Sequence, residues 1–107
     1  MVDGEIIKII QKFMERLKKQ NVKIDKIILY GSRITGKTHK YSDIDIAVVS
    51  SDFGKDRFVE GINLRNIASA VDPRIEPVPI SLKAYQEDTW VPLIYEVRTK
   101  GVELPIT

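Results

Sequence analysis

The sequence predicts one α+β domain, and three observations carry that prediction. An amphipathic helical stretch opens the chain, two short apolar strands meet across a glycine turn, and an alternating run with two prolines follows a second helical stretch. At 107 residues the chain can build a single core spanning 1–107, but it is too short for the many-stranded sheet with crossover helices of a doubly wound fold. Hydrophobic residues make up 43% and charged residues 30%, the balance of a soluble globular protein. The formal net charge of +2, with both signs interspersed, argues against a strong nonspecific hold on nucleic acid. The absence of cysteine excludes disulfides and thiolate-bound zinc and fits a reducing cytoplasm, the expected location. Charges scattered through the apolar positions of the N-terminus exclude a signal peptide, and no run is long enough to span a bilayer.

Each element has its own signal. From Glu5 to Gln20, Ile6, Ile9, Ile10, Phe13 and Leu17 recur on one helical face with Lys and Glu on the other. Residues Ile24 to Tyr30 read as a strand around the buried run Ile27, Ile28 and Leu29, and Gly31 then turns the chain, with one helical turn over Ser32 to Thr35. A second strand covers 44–50. Asp56 to Val71 reads as a helix with Phe58, Ile62, Ile67, Ala68 and Val71 inward, stopped by Pro73. Arg74 to Ile80 alternates, but Pro77 and Pro79 demote it to an edge strand. Ser81 caps a short helix to about Glu87. Trp90, Leu93, Ile94 and Val97 mark a last helix that begins near Pro92 and ends at Gly101, leaving Val102 to Ile106 as a tail.

The chemistry concentrates in one phrase, Gly31-Ser32, ten residues, then Asp43-Ile44-Asp45. Alternation along a strand sends Asp43 and Asp45 to one side and Ile44 and Ile46 to the other. Two carboxylates side by side repel unless a cation lies between them, and an all-oxygen donor set suits Mg²⁺ with a triphosphate completing its shell. Gly-Ser after a strand is common turn chemistry, and Ser42-Asp43 alone could be a polar loop. Joined, they are harder to read as structural, because Asp45 interrupts an apolar run where an unpaired charge is costly.

A second motif overlaps the first. Residues Gly31 to Thr38 satisfy G-x-x-x-x-G-K-[ST] at every fixed position. A P-loop, however, needs a helix starting at its Lys-Thr to hold the phosphates, and here a short polar stretch, Thr38 to Asp43, leads into the carboxylate strand. The P-loop reading is therefore set aside. Lys37 and Lys40 are weak phosphate candidates, and His39, the only histidine, reads as an exposed loop residue.

The order of elements and the Gly-Ser-x₁₀-Asp-x-Asp phrase resemble the DNA polymerase β nucleotidyltransferase superfamily, nearest to its one-domain branch, the minimal nucleotidyltransferases (MNT). The resemblance spans nearly the whole chain and implies a nucleotidyltransferase fold, a small mixed sheet with helices packed mainly on one face. It implies that Gly31 and Ser32 bind nucleotide phosphates, that Asp43 and Asp45 hold two Mg²⁺ ions, and that a third carboxylate on a neighbouring strand activates the acceptor hydroxyl. Glu76 is the candidate for this third catalytic and metal-binding position, with Asp72 as substitute, and Arg33 is a further nucleotide-binding candidate. Members of this size pair with HEPN-domain ribonucleases in prokaryotic toxin–antitoxin modules. The resemblance thus implies an adenylyltransferase antitoxin that moves AMP from ATP to a tyrosine of a HEPN toxin. A small-molecule or RNA-end acceptor, or an antitoxin that acts by binding alone, remain the alternatives.

Overall fold

The computed structural model describes residues 3–35 and 42–106. Gly36, Lys37, Thr38, His39 and Lys40 lie outside the described residues. In chain order the elements are α1 (Gly4–Lys19), β1 (Lys26–Tyr30), α2 (Ser32–Thr35), β2 (Ile44–Ser50), α3 (Arg57–Val71), β3 (Ile75–Ser81), α4 (Leu82–Glu87), α5 (Pro92–Lys100) and β4 (Val102–Leu104).

The four strands form one mixed sheet in the order β3-β2-β1-β4. β1 runs antiparallel to both β2 and β4, whereas β2 and β3 are parallel. Because β1 and β2 are antiparallel neighbours, no strand–helix–strand crossover joins them, and the P-loop reading loses its scaffold. Strand alternation splits the core in two. Ile27, Leu29, Ile44, Ile46, Val48 and Ile75 point to one face, where they meet Ile6, Ile10, Phe13 and Leu17 of α1 and Leu64 and Ala68 of α3. Ile28, Ala47, Val49 and Ile80 point to the other, under Ile94 and Val97 of α5. The two long helices thus share one face, as expected, and the short α4 and α5 cover part of the opposite one.

Three expectations are corrected. Val102–Leu104 is a strand rather than a tail, because Leu104, Glu103 and Val102 pair with Ile27, Ile28 and Leu29 on the open side of β1. Three residues carry too little periodicity to announce a strand, and only the neighbour's unpaired edge makes one. In α3 the inward seam is Leu64 and Ala68, both buried, with Ile67 and Val71 packed against the core, while Phe58 is 77% exposed and Ile62 44% exposed. Those two lie roughly 120° and 160° around the helix from Leu64, so they face away from the sheet. Trp90 lies before α5 rather than in it, and is 79% exposed.

β3 is an edge strand, as its prolines require. The Ile44 N–H donates to the Arg74 carbonyl at 2.8 Å, so the even-numbered residues of this segment face β2 and the odd-numbered ones, Pro77 and Pro79 among them, face the free edge. The ladder loses no donor to either proline.

Candidate active site

The turn after β1 places the first part of the site. Gly31 adopts φ +77°, a left-handed conformation, and the Ile34 N–H closes the turn on the Gly31 carbonyl at 3.0 Å. A Cβ on Gly31 would run into the Asp45 carboxylate, striking its Oδ2 and lying 3.1 Å from its Cγ. The glycine is therefore required twice, by its backbone angle and by the side chain packed against it. Ser32 begins α2 directly after this turn.

β2 carries the carboxylates. Asp43 is exposed just before the strand and Asp45 is its second residue, half-buried. Ile44 and Ile46 enter the α1–α3 core, so Asp45 projects from the other face, as the alternation requires. Register then decides its neighbours. Asp45 is the Cα partner of Tyr30 on β1 and of Glu76 on β3, which makes a row of three polar side chains across adjacent strands.

Arg33 grips the backbone beside the carboxylates. Its Nε donates to the Asp43 carbonyl at 3.3 Å and its Nη2 to the Ser42 carbonyl, so the guanidinium clips α2 to the segment that enters β2. It holds the position of Asp43 through the backbone. Asp72, the substitute third carboxylate, is engaged elsewhere: its Oδ1 accepts from the Arg74 backbone N–H at 2.8 Å and from Nε at 3.1 Å, and its Oδ2 accepts from Nη2 at 2.9 Å. Those hydrogen bonds hold its carboxyl below the usual aspartate range. Glu76 has only a looser cationic neighbour, the Arg65 guanidinium 3.6 Å from its Oε2.

The electrostatics of the row follow from burial and like charge. Asp45 is raised above the 3.8 of a free aspartate, first by burial and then by the negative charges of Asp43, Glu76 and Glu96. Tyr30 is pushed up to about 12 by burial, then by Asp45, Glu96 and Glu76, which keeps its phenol protonated at neutral pH. Sequence reasoning did not single out Tyr30 as a site residue and missed Glu96 altogether. Strand alternation could have put Tyr30 on one face with Ile28, but its position opposite Asp45 needs the β1–β2 register. Glu96 lies in a helix read only for its apolar residues, and nothing local shows which way α5 faces the sheet.

An electronegative, half-buried, all-oxygen donor set is suited to a hard divalent cation. Among the described residues no three acidic or imidazole groups converge closely enough to hold an ion by themselves. Asp43 and Asp45, at the start of β2, fit such an ion as two of its oxygen ligands.

A family model described as polymerase beta, nucleotidyltransferase matches residues 8–105. Among solved structures, a toxin–antitoxin crystal structure with AMP-PNP is 31% identical at a TM-score of 0.63, covering 90% of this chain and 72% of the other. A toxin–antitoxin MntA-HpeT mutant, with two aspartates replaced by glutamate, is 29% identical at 0.62, covering 90% and 72%. A nucleotidyltransferase-like protein from Sulfolobus solfataricus, 15% identical at 0.65 with 92% and 78% covered, shares the fold. A comparison with curated proteins gave no significant match.

Proposed function

Starting from a chain that belongs to the polymerase β nucleotidyltransferase family, we propose that it is the antitoxin of a toxin–antitoxin pair and transfers AMP from ATP to a tyrosine of a HEPN ribonuclease. The observation that carries this reading is the row across the strands, with Asp45 between Tyr30 and Glu76 and the Gly31 turn packed on its carboxylate. On this reading the row joins a phosphate-seating turn, a cation-binding pair and a carboxylate base across three adjacent strands. The neighbours support the partner half of the reading, since one is a toxin–antitoxin structure holding an ATP analogue.

Each residue has a derived task. The backbone at Gly31 and Ser32, where no Cβ projects from the first residue, seats the triphosphate with the Ser32 hydroxyl beside it. Asp43 and Asp45 would hold a divalent cation, and Arg33 keeps Asp43 in place by gripping the carbonyls of Ser42 and Asp43. Mg²⁺ bound there, as two ions, would supply positive charge to the attacking and leaving oxygens of an in-line displacement. Glu76 takes the proton from the acceptor phenol as its oxygen bonds to the α-phosphorus. The bond from that phosphorus to the bridging oxygen breaks, and pyrophosphate leaves with its electrons. The Arg65 guanidinium, 3.6 Å from the Glu76 Oε2, is the cation that stands beside this base. Tyr30, protonated through the neutral range, adds no charge of its own to the row. The added AMP phosphate would repel RNA phosphates at the nuclease site of the toxin.

The test is incubation with radiolabelled ATP, Mg²⁺ and the protein encoded by the adjacent reading frame. The neighbour should be labelled, and the label should vanish with Asp43→Asn. Label on small RNA without the neighbour would favour an RNA acceptor. A neighbour neutralised equally by the Asp43→Asn protein, with no label anywhere, would mean inhibition by binding alone.

A further inference from the structure

We propose that the acceptor protein docks on the outer side of α3, along a stripe formed by Phe58, Ile62 and Arg65 that leads to Glu76; this inference rests on the reading that the acceptor is a protein. Positions i, i+4 and i+7 line up on one helix surface. Phe58 is 77% exposed and Ile62 44% exposed, in a chain whose other isoleucines and leucines are almost all buried or packed against a core. Large apolar side chains in an unpartnered row are the mark of a contact surface.

Where the stripe ends identifies its occupant. Arg65, one further turn along, reaches around the sheet edge to within 3.6 Å of Glu76. Arg65 therefore links the outer side of α3 to the opposite face of the sheet around the β3 edge, and a protein that covers Phe58 and Ile62 reaches Glu76 by wrapping that edge. The adjacent edge of β3 narrows the mode of binding. An open edge ordinarily recruits another strand, but Pro77 and Pro79 face outward here and remove two donors from it. The partner must hold on through side chains.

A groove of about 230 Å³ extends the surface at the other end of β3. It lies between Arg57 at the start of α3, Ser81 at the strand end, and Val91 and Ile94 of the α5 side. Phe58 follows Arg57 in the chain and the 79% exposed Trp90 precedes Val91, so an exposed aromatic is one residue along the chain from each of two groove-lining residues. The matching partner surface is a helix or turn with two or three apolar side chains, carrying a carboxylate that meets Arg65 and a tyrosine beside it. Arg65 can exchange Glu76 for that carboxylate as the complex forms.

The experiment measures binding of the purified adjacent-frame protein by titration calorimetry without ATP, so that docking is read apart from transfer. Variants are Phe58→Ala with Ile62→Ala, and Trp90→Ala. The control is Val102→Ala, at an exposed apolar position on β4 at the opposite edge of the sheet. Because all the substituted side chains are exposed, melting temperatures should hold. The double variant should weaken binding by at least about tenfold, Trp90→Ala should weaken it measurably, and the control should not. Arg65→Glu should weaken it also, with Arg65→Lys closer to the parent. Unchanged binding in the double variant, or equal loss in the control, overturns the docking surface even if the neighbour is labelled. Loss of binding in the double variant alone supports it even if the neighbour is never labelled, in which case it is the transfer reading that fails. A neighbour that does not bind the parent protein overturns the proposal.

Discussion

Replacing Gly31 by alanine should cost more than a loop substitution normally does, and the structure divides the cost into two separable parts. The first is conformational: at φ +77° an L-residue is disfavoured by about 1–2 kcal/mol. The second is steric. The new methyl would meet Oδ2 of Asp45 and sit 3.1 Å from its Cγ and 3.3 Å from its Cβ, so the carboxylate must leave its rotamer at a cost of about 0.5–1.5 kcal/mol. Together these give about 1.5–3.5 kcal/mol, which for a chain of this size lowers the melting temperature by roughly 6 °C or more. An Asp45→Ala background removes the obstructing carboxylate and leaves the backbone term. There the same glycine substitution should cost only about 1–2 kcal/mol, a coupling of about 0.5–1.5 kcal/mol in a double-mutant cycle. Denaturant unfolding of the four proteins, without divalent metal, measures it. Equal costs in the two backgrounds would falsify the claim that Asp45 packs on the glycine turn, and a cost below about 0.5 kcal/mol in both would also refute the left-handed backbone.

Two further outcomes follow from the carboxylate row. Asp45→Asn should abolish nucleotidyl transfer yet raise the melting temperature at pH 7 in metal-free buffer, because burial and its acidic neighbours hold the Asp45 carboxyl above its ordinary value. The folded state then binds more protons than the unfolded one, so this group costs stability as pH rises from about 3.8 through its folded value. The gain from Asp45→Asn should accordingly shrink on acidification, and a gain independent of pH would show that charge is not its cause. Glu76→Gln should slow transfer by about 10² to 10⁴ while nucleotide affinity, read by calorimetry, stays near the parent's, as expected for loss of a general base. Parent-like rates would return Glu76 to an edge-strand surface residue.

How much of this was legible in the residues depends on how local each determinant is. The opening helix, both central strands, the caps at Asp56 and Ser81, and the Pro92 and Gly101 limits of α5 were read within two residues of their observed ends, because periodicity, capping and backbone restriction act over a few positions. Asp45 facing away from Ile44 and Ile46 needed only the two-residue period of a strand. β4 was not legible, since Val102–Leu104 becomes a strand only by completing the free edge of β1. The outward turn of Phe58 and Ile62 was not legible either. Both belong to an apolar helix pattern wide enough to allow several rotations, and the seam of Leu64 and Ala68 against the sheet selects one.

What the residues determined by themselves was which groups are at hand: a glycine turn and two aspartates spaced to share one side of a strand. What tertiary structure decided was which side chains join them. The parallel register of β2 and β3 puts Glu76 beside Asp45, the antiparallel register of β1 puts Tyr30 on its other side, and the packing of Ile94 and Val97 turns Glu96 toward both. The physical reason is one of range. Alternation and turn propensity are set by the backbone of a few successive residues, whereas register is chosen by the burial of whole faces brought together from distant segments.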